Sequence, residues 1–237
     1  MLKVTGLHAG YGKLRVLSGV DLEVPTGGLT VVVGPNGAGK TTLLCSIMGI
    51  ASVFAGDVIF EGNKVTGASP YEVARRGISY VPQMKNVFAD LSVLDNLQIA
   101  GYMLPRDEVK AKAAQMTEIF PVLKQFIHRK AGTLSGGERR MLAIAMGLMK
   151  KPKLMLLDEL STDLAPIVAR RVMAEIARLR DEMGITILLV EQMAKRALEI
   201  GDTAYLLVSG EVRFEGDARA LLRDPELARL YLGIKEA

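Results

Sequence analysis

The sequence predicts an α/β fold: a core with a mixed β-sheet, an N-terminal antiparallel β-subdomain and an inserted α-helical subdomain. Three observations predict this fold. A glycine-rich loop lies between a β-branched run and residues at helical spacing. All-apolar runs at Leu154 to Leu157 and Thr186 to Val190 flank a helical stretch, which is typical of parallel strands. Strand patterns are absent between position 84 and about position 130.

Composition limits the class of protein. The 237 residues allow one α/β domain with an insertion, or two small lobes, and 49% hydrophobic residues suffice for a large core. No apolar run is long enough to cross a bilayer, and Met1 to Tyr11 alternates like a strand, unlike a signal peptide. Cys45 is the single cysteine, which favours the cytosol. The net charge of +4 is modest and dispersed, which argues against nucleic acid as a main partner.

The N-terminal segment predicts two antiparallel strands. Leu2 to Leu7 and Gly19 to Val24 alternate apolar with polar residues, as in a sheet that is open to water on one face. Tyr11 lies between them on a glycine-rich turn. Its ring could stack on an adenine or simply pack on the sheet, and the residues favour neither.

A phosphate-binding loop follows. The motif G-x-x-x-x-G-K-[ST] is matched by Gly34, Pro35, Asn36, Gly37, Ala38, Gly39, Lys40 and Thr41, and is followed by Thr42. Val31 to Val33 predicts a strand before the loop, and a helix should follow it. Glycines let backbone N–H groups turn towards phosphate oxygens, and the helix N-terminus adds partial positive charge. We expect Lys40 to reach the β- and γ-phosphates and the Thr41 hydroxyl to bind Mg²⁺.

The next segment returns to the sheet. Gly56 to Phe60 is a candidate strand, and Ser69 with Pro70 predicts the start of a short helix. Ile78 to Val81 is a predicted strand that ends before Gln83. A glutamine at a strand end can place its amide oxygen on a metal ion, although an ordinary polar loop residue is the simpler interpretation.

The insertion is predicted to be helical. Ser92 precedes apolar residues at helical spacing, and Arg106 to Phe120 is rich in strong helix formers. Leu134 to Glu138 reads LSGGE, where Ser135 predicts a helix N-cap followed by Gly136 and Gly137. This is a second anion-binding helix start. Because one chain rarely needs two such devices for one nucleotide, we infer that it serves a nucleotide held by another chain.

The apolar strand Leu154 to Leu157 should be central in the parallel sheet, and it ends in Asp158 and Glu159. Ligands of α/β proteins bind at this edge. We expect Asp158 to hold Mg²⁺ and Glu159 to polarise a water for attack on the γ-phosphate.

The last third alternates helix and strand before a hairpin. Pro166 to Met183 is a predicted helix, and the strand Thr186 to Val190 ends at Gln192, whose side chain should face the nucleotide edge. The remaining expected elements are a hairpin of Thr203 to Ser209 with Glu211 to Glu215 and two terminal helices, Ala218 to Leu222 and Pro225 to Leu232. We divide the chain into a core (1–83 and 152–215), a helical subdomain (84–151) and C-terminal helices (216–237).

Together these motifs resemble an ATP-binding cassette subunit, with a P-loop NTPase (RecA-like) core, over essentially the whole chain. LSGGE upstream of the Asp-Glu strand is the most specific part. The stretches LHAGYGKLRVL, VEQ and DPELARLYLG are similar to ATPase subunits of branched-chain amino-acid importers. The resemblance implies ATP and Mg²⁺ as cofactors, ATP-driven dimerisation and uptake of branched-chain or related amino acids.

It also implies partners: membrane-spanning permease subunits, a second ATPase subunit (a related chain or itself) and, indirectly, a periplasmic or surface binding protein. The chain would lie peripherally on the cytoplasmic face of the cell membrane.

The resemblance assigns roles to residues. Tyr11 would stack on adenine, and Thr41 and Gln83 would contact Mg²⁺, with Gln83 also sensing the membrane partner. Ser135 to Gly137 would cap the γ-phosphate on the opposing subunit, and Glu159 would be the general base. Gln192 stands where most cassettes carry His; it can hydrogen-bond a phosphate or water but cannot take a proton near neutral pH.

Other departures lie near the expected dimer interface. Leu160 stands in place of Pro, Asp163 in place of a small residue, commonly Gly, Ala165 in place of Asp, and Met146 in place of Arg. They leave three alternatives: a nucleotide-gated module with weak ATPase activity beside a more active partner, a cassette ATPase for another substrate, and a soluble cassette protein that acts on ribosomes or DNA.

Overall fold

Two β-sheets organise the protein, which a computed structural model describes over residues 1–224 and 226. The strands are β1 (Leu2–Tyr11), β2 (Leu14–Val24), β3 (Leu29–Val33), β4 (Ser52–Phe60), β5 (Asn63–Lys64), β6 (Ile78–Val81), β7 (Leu154–Asp158), β8 (Thr186–Glu191), β9 (Thr203–Val208) and β10 (Glu211–Asp217). A four-stranded sheet has the order β2-β1-β4-β5, and a six-stranded sheet has the order β10-β9-β3-β8-β7-β6.

The helices connect and cover these strands. They are α1 (Lys40–Ile47), α2 (Pro70–Arg75), α3 (Val93–Ala100), α4 (Arg106–Ile119), α5 (Pro121–Lys124), α6 (Gly136–Leu148), α7 (Pro166–Met183), α8 (Ala194–Ile200) and α9 (Ala218–Arg223), with a 3₁₀ turn at Ala131–Thr133. The predicted helix from Pro225 to Leu232 lies outside the described residues, apart from Glu226.

The small sheet confirms the antiparallel N-terminal prediction. Strand β1 pairs antiparallel with β2 and with β4. Leu2, Val4 and Leu7 are buried, whereas Lys3 and Thr5 are exposed, as the alternating pattern predicts. The hairpin is longer than predicted, because its pairing continues to Tyr11 opposite Leu14.

The large sheet is mixed, as predicted. Strands β9, β3, β8, β7 and β6 are parallel neighbours, and β10 closes one edge antiparallel to β9. One detail is wrong: β7 is second from the edge, and β3 and β8 are the central strands. The all-apolar sequence of β7 reports burial on both faces, which a strand beside an edge strand can also have.

Two hydrophobic cores lie on opposite faces of this sheet. Leu154 and Leu156 of β7 point into a core shared with the small sheet and α1. Met155 and Leu157 point into the core shared with α6, α7 and α8. Because both faces of β7 are covered, its carboxyl end is held rigidly, and the residues that follow it have fixed positions.

The segment between β6 and β7 is helical. Ser92 and Ser135 cap α3 and α6 with reciprocal capping boxes, and Ser69 does the same for α2. These helix starts match the predictions. The buried Asn96 amide nitrogen donates to the carbonyl oxygens of Phe88 and Ser92, at 3.0 Å and 2.8 Å, and so anchors the loop before α3. The division into subdomains stays a prediction.

Candidate functional site

The loop between β3 and α1 forms a backbone cradle. Gly34 has no room for a side chain, because a Cβ there would lie 2.0 Å from the carbonyl oxygen of Leu207 on the neighbouring strand. Gly39, which precedes α1, has a φ of 103°, in the left-handed region that favours glycine. Pro35, Asn36 and Gly37 form the exposed tip of the cradle. Helix α1 therefore begins with its N-terminus directed at the loop.

Lys40 is held inside the cradle. Its side chain is only 4% exposed, and Nζ donates to the carbonyl oxygens of Gly34 (2.9 Å) and Pro35 (3.2 Å). The same Nζ lies 3.2 Å from Oε1 of Glu159. The lysine therefore joins the loop to the carboxylate that follows β7, which is the pair of groups that the sequence predicts on either side of a γ-phosphate.

Asp158 is buried at the end of β7 and has a partner on each carboxylate oxygen. The Thr41 hydroxyl donates to Oδ1 at 3.1 Å, and the Tyr80 hydroxyl donates to Oδ2 at 3.0 Å. Burial raises the pKa of Asp158 above its ordinary value, while these two hydrogen bonds oppose the rise.

Gln83 also reaches the acidic pair. Its amide nitrogen donates to Oε2 of Glu159 at 3.2 Å. The Arg140 guanidinium of α6 donates to the backbone carbonyl of Gln83. The helical insertion is therefore linked through Arg140 to the loop that carries Gln83.

A cleft of about 320 Å³ opens over the cradle. Its lining residues are Val16, Asn36, Gly37, Gly39, Lys40, Thr41, Thr42 and Glu159. Tyr11 stands near it, 46% exposed, with its hydroxyl interacting with Thr42 and Cys45. Its burial raises the pKa of its hydroxyl. The cleft combines N–H groups, a lysine and a carboxylate, which suits a polyphosphate with a reacting end.

Ser135, Gly136 and Gly137 are not part of this cleft. Ser135 is exposed at the start of α6, where its Oγ accepts a hydrogen bond from the Glu138 backbone at 3.4 Å. Gly136 instead borders a separate groove of about 500 Å³ between the Gln83 loop and the loop at 162–164. The structure thus keeps the helix start away from the chain's own cradle and leaves it open to solvent.

Gln192 follows β8 and is exposed. Strand β8 places Val190 opposite Asp158, so Gln192 lies just beyond the same edge of the sheet. Its backbone N–H donates to the carboxylate of Glu191.

Glu191 was not predicted as a site residue. It is fully buried, and its oxygens accept hydrogen bonds from the backbone N–H and the hydroxyl of Ser161, at 2.9 Å and 2.7 Å. Burial raises the pKa of Glu191 to about 7. It ties the loop that follows Glu159 to the loop that carries Gln192. An ionisable residue at the end of an apolar strand was the available signal.

Tyr80 and Arg140 were also missed. Tyr80 is the only aromatic residue of β6, and Arg140 directly follows Arg139 in α6. Neither pattern indicates a partner, because Tyr80 and Asp158 are 78 residues apart and Arg140 and Gln83 are 57 apart.

The residues present fit a magnesium ion. Within the described part of the chain, no group of three or more His, Cys, Asp or Glu side chains is arranged to hold a metal ion. Thr41, Asp158 and Gln83 instead offer one hydroxyl, one carboxylate and one amide oxygen. Mg²⁺ prefers such oxygen ligands and usually binds with substrate phosphates in place of an all-protein cage.

Fold and site together define the class of the protein. A glycine cradle between a buried strand and a helix, a buried lysine, and two carboxylates at the end of a parallel strand form the site of a P-loop nucleoside triphosphatase. The family model described as "ABC transporter" matches residues 17–162, so the chain belongs to the ATP-binding cassette (ABC) transporter family.

Curated relatives match almost the whole chain. The probable branched-chain amino acid transport ATP-binding protein LivF of Archaeoglobus fulgidus is 47% identical over 234 residues, covering 99% of both chains. The high-affinity branched-chain amino acid transport ATP-binding protein BraG of Pseudomonas aeruginosa is 40% identical over 233 residues, covering 98% of this chain and 100% of its own.

Solved structures agree with the fold. An ATP-binding cassette of an ABC transporter in its ADP conformation has a TM-score of 0.87 at 29% identity, covering 100% of this chain and 99% of its own. A dimeric ATP-binding cassette in a post-hydrolysis state, bound to ADP and Pi, has a TM-score of 0.81 at 25% identity, covering 92% and 99%.

The protein is therefore an ATP-binding and ATP-hydrolysing ABC transporter subunit. ABC ATPases of this family work with membrane permeases, and the solved cassettes include dimers. Over residues 1–224 and 226, no helix combines the length and the apolar character needed to cross a membrane.

Proposed function

We propose that this chain powers the uptake of branched-chain or related amino acids as the Mg²⁺-dependent ATPase of an importer, bound peripherally to the cytoplasmic face of the membrane. The contact between Lys40 and Glu159 at the cradle carries the proposal of hydrolysis. The full-length similarity to relatives named for branched-chain amino acid transport supports the substrate class. Since cargo is chosen by permease and binding protein, an ABC ATPase for another substrate remains the alternative.

The geometry supports a catalytic sequence. Without nucleotide, the Lys40 ammonium neutralises Glu159 and fills its remaining bonds with loop carbonyls. The β- and γ-phosphates of ATP compete for the same ammonium, which frees Glu159 to accept a proton from the attacking water. Gln83 already donates to Glu159 and orients it. Gln192, at the same sheet edge, is placed to hydrogen-bond the phosphate or the water.

Thr41, Asp158 and Gln83 would hold Mg²⁺ beside the phosphates. When bound, the ion neutralises charge that develops on the phosphate oxygens. The existing hydrogen bond between Thr41 and Asp158, 3.1 Å long, supports this assignment, because it brings a hydroxyl and a carboxylate oxygen together at the cradle.

The nucleotide site is completed by a second ATPase subunit, either another copy or a related chain. The exposed position of Ser135 supports this, since a helix N-terminus open to solvent can reach a phosphate on a facing molecule. Tyr11, half exposed beside Thr42, would stack on the adenine.

A groove of about 290 Å³ is our candidate contact for the permease. It runs beside the edge strand β6 and is lined from the core by Met48 and Tyr80 and from the insertion by Ala100, Met146 and Lys150. A segment seated there would contact both parts at once. It would therefore respond when the insertion moves with Gln83 through Arg140. The importer's binding protein would act on this chain only indirectly.

Glu159→Gln tests hydrolysis. The amide keeps the size of the side chain but cannot take a proton, so we expect ATP-driven dimerisation to persist while turnover falls about 100-fold or more. Steady-state phosphate release and sizing in ATP measure the two effects. The exposed Glu118→Gln is the matched control. Wild-type turnover in Glu159→Gln would exclude Glu159 as the base.

The second candidate is a nucleotide-gated module with weak activity beside a more active ATPase. Asp163 favours it, because this carboxylate is exposed near the expected dimer interface and has a φ of 62°, where a glycine would be unstrained. Comparing ATPase rates with and without the co-purified partner ATPase separates the two. Comparable rates favour the active enzyme, and activity that depends on the partner's own glutamate favours the module.

A further inference from the structure

Tyr80 contacts the candidate magnesium ligand from the neighbouring strand. It lies on β6 opposite Leu156 of β7, two residues before Asp158. From there its hydroxyl crosses the end of β7 and donates to Oδ2 of Asp158 at 3.0 Å. The ring is half-buried against the core shared with α1. Neither the motifs nor the family match assigns this residue a role.

The hydrogen bond completes a two-sided grip on one carboxylate. Asp158 is 1% exposed, so water does not provide an alternative donor. Thr41 holds Oδ1, and Tyr80 holds Oδ2. With both oxygens bound, the carboxylate cannot rotate about its Cβ–Cγ bond without losing a buried hydrogen bond, which costs about 1–3 kcal/mol. Residues that orient metal ligands in this way set metal affinity.

We propose that Tyr80 is a positioning residue of the magnesium site, whose hydroxyl fixes the Asp158 carboxylate so that Oδ1 stays beside Thr41. This inference rests on the proposed Mg²⁺-dependent function. Strand β6 then has two tasks, since it carries Tyr80 and leads into the loop of Gln83, three residues later. Two separate contacts to the magnesium site would depend on the position of this edge strand.

Tyr80→Phe removes the hydroxyl and keeps the ring. The probe is Mn²⁺, measured by electron paramagnetic resonance with bound ATP in the Glu159→Gln background, so that hydrolysis does not interfere. We expect Mn²⁺ affinity to fall about 10-fold or more, the usual effect of losing an outer-shell partner. ATP affinity in EDTA should stay unchanged. Tyr71→Phe is the control, because Tyr71 is 52% exposed on α2 and distant in sequence from the site.

A double-mutant cycle with Asp158→Asn separates positioning from a general structural effect. Tyr80→Phe should have no further effect on Mn²⁺ affinity once the carboxylate is gone. Unchanged affinity in Tyr80→Phe, a full effect that persists in Asp158→Asn, or simultaneous loss of ATP binding in EDTA would each overturn the inference. If the Glu159→Gln parent itself bound no Mn²⁺ with ATP, the proposed magnesium site would fail instead, independently of Tyr80.

Discussion

Glu191→Gln should change how the stability of the protein depends on pH. Burial raises the pKa of Glu191 from 4.5 to about 7, so the folded protein keeps a proton that the unfolded chain releases. Between these values the folded state binds more protons, and the free energy of unfolding therefore falls as pH rises. Below the lower value the penalty is absent, and above the higher value it is complete.

Its size follows from the two pKa values. Linkage gives a penalty of about 1 kcal/mol near pH 5 and about 3 kcal/mol near pH 8. The glutamine variant does not titrate, although it replaces one acceptor for the two Ser161 hydrogen bonds by a donor. That loss is independent of pH, so the slope isolates the carboxylate. Relative to wild type, Glu191→Gln should gain about 2 kcal/mol between these two pH values.

Urea unfolding at a series of pH values measures this gain. The charged groups that act on Glu191 are Glu159, which raises its pKa, and Arg140, whose guanidinium it attracts. The exposed Glu118→Gln controls for the loss of one carboxylate elsewhere. Parallel pH profiles for wild type and Glu191→Gln would refute the reasoning, because they would mean that the buried carboxylate does not titrate in this range.

Two further substitutions test the loops of the site. Gly34→Ala should abolish ATP binding, measured by equilibrium titration, because its Cβ would lie 2.0 Å from the Leu207 carbonyl oxygen and force the cradle open; near-normal affinity would contradict the described loop. Asp163→Gly should raise the free energy of unfolding by about 1 kcal/mol, since φ is 62° there and left-handed backbone strains a non-glycine residue; a loss of stability would show that the aspartate makes a compensating contact.

Much of the fold could be predicted because its signals are local. The caps at Ser69, Ser92 and Ser135 each depend on the residue three positions later, and the structure has all three. The phosphate loop needs only a strand before it and a helix after it. The position of β7 in the sheet could not be predicted, because an apolar strand reports how many faces are covered and carries no signal for its neighbours.

The partners of the site were harder to predict for the same reason. Asp158 and Glu159 stand out beside an apolar run, but their contacts come from distant parts of the chain. Tyr80 meets Asp158 across 78 residues, and Ser161 meets Glu191 across 30. Such pairs depend on strand order, which places β6 and β8 on either side of β7. Glu191 in particular was passed over in favour of the neighbouring Gln192.

A mixing experiment tests the shared nucleotide site most directly. Lys40→Ala disables the cradle, and Ser135→Arg disables the helix start that should cap a facing molecule. Each variant alone should hydrolyse almost no ATP, although Ser135→Arg should bind ATP normally because Ser135 does not line its own cleft. A mixed dimer regains one intact site, so mixing should restore phosphate release. Full hydrolysis by Ser135→Arg alone, or no recovery in mixtures that do form dimers, would contradict a site built from two chains.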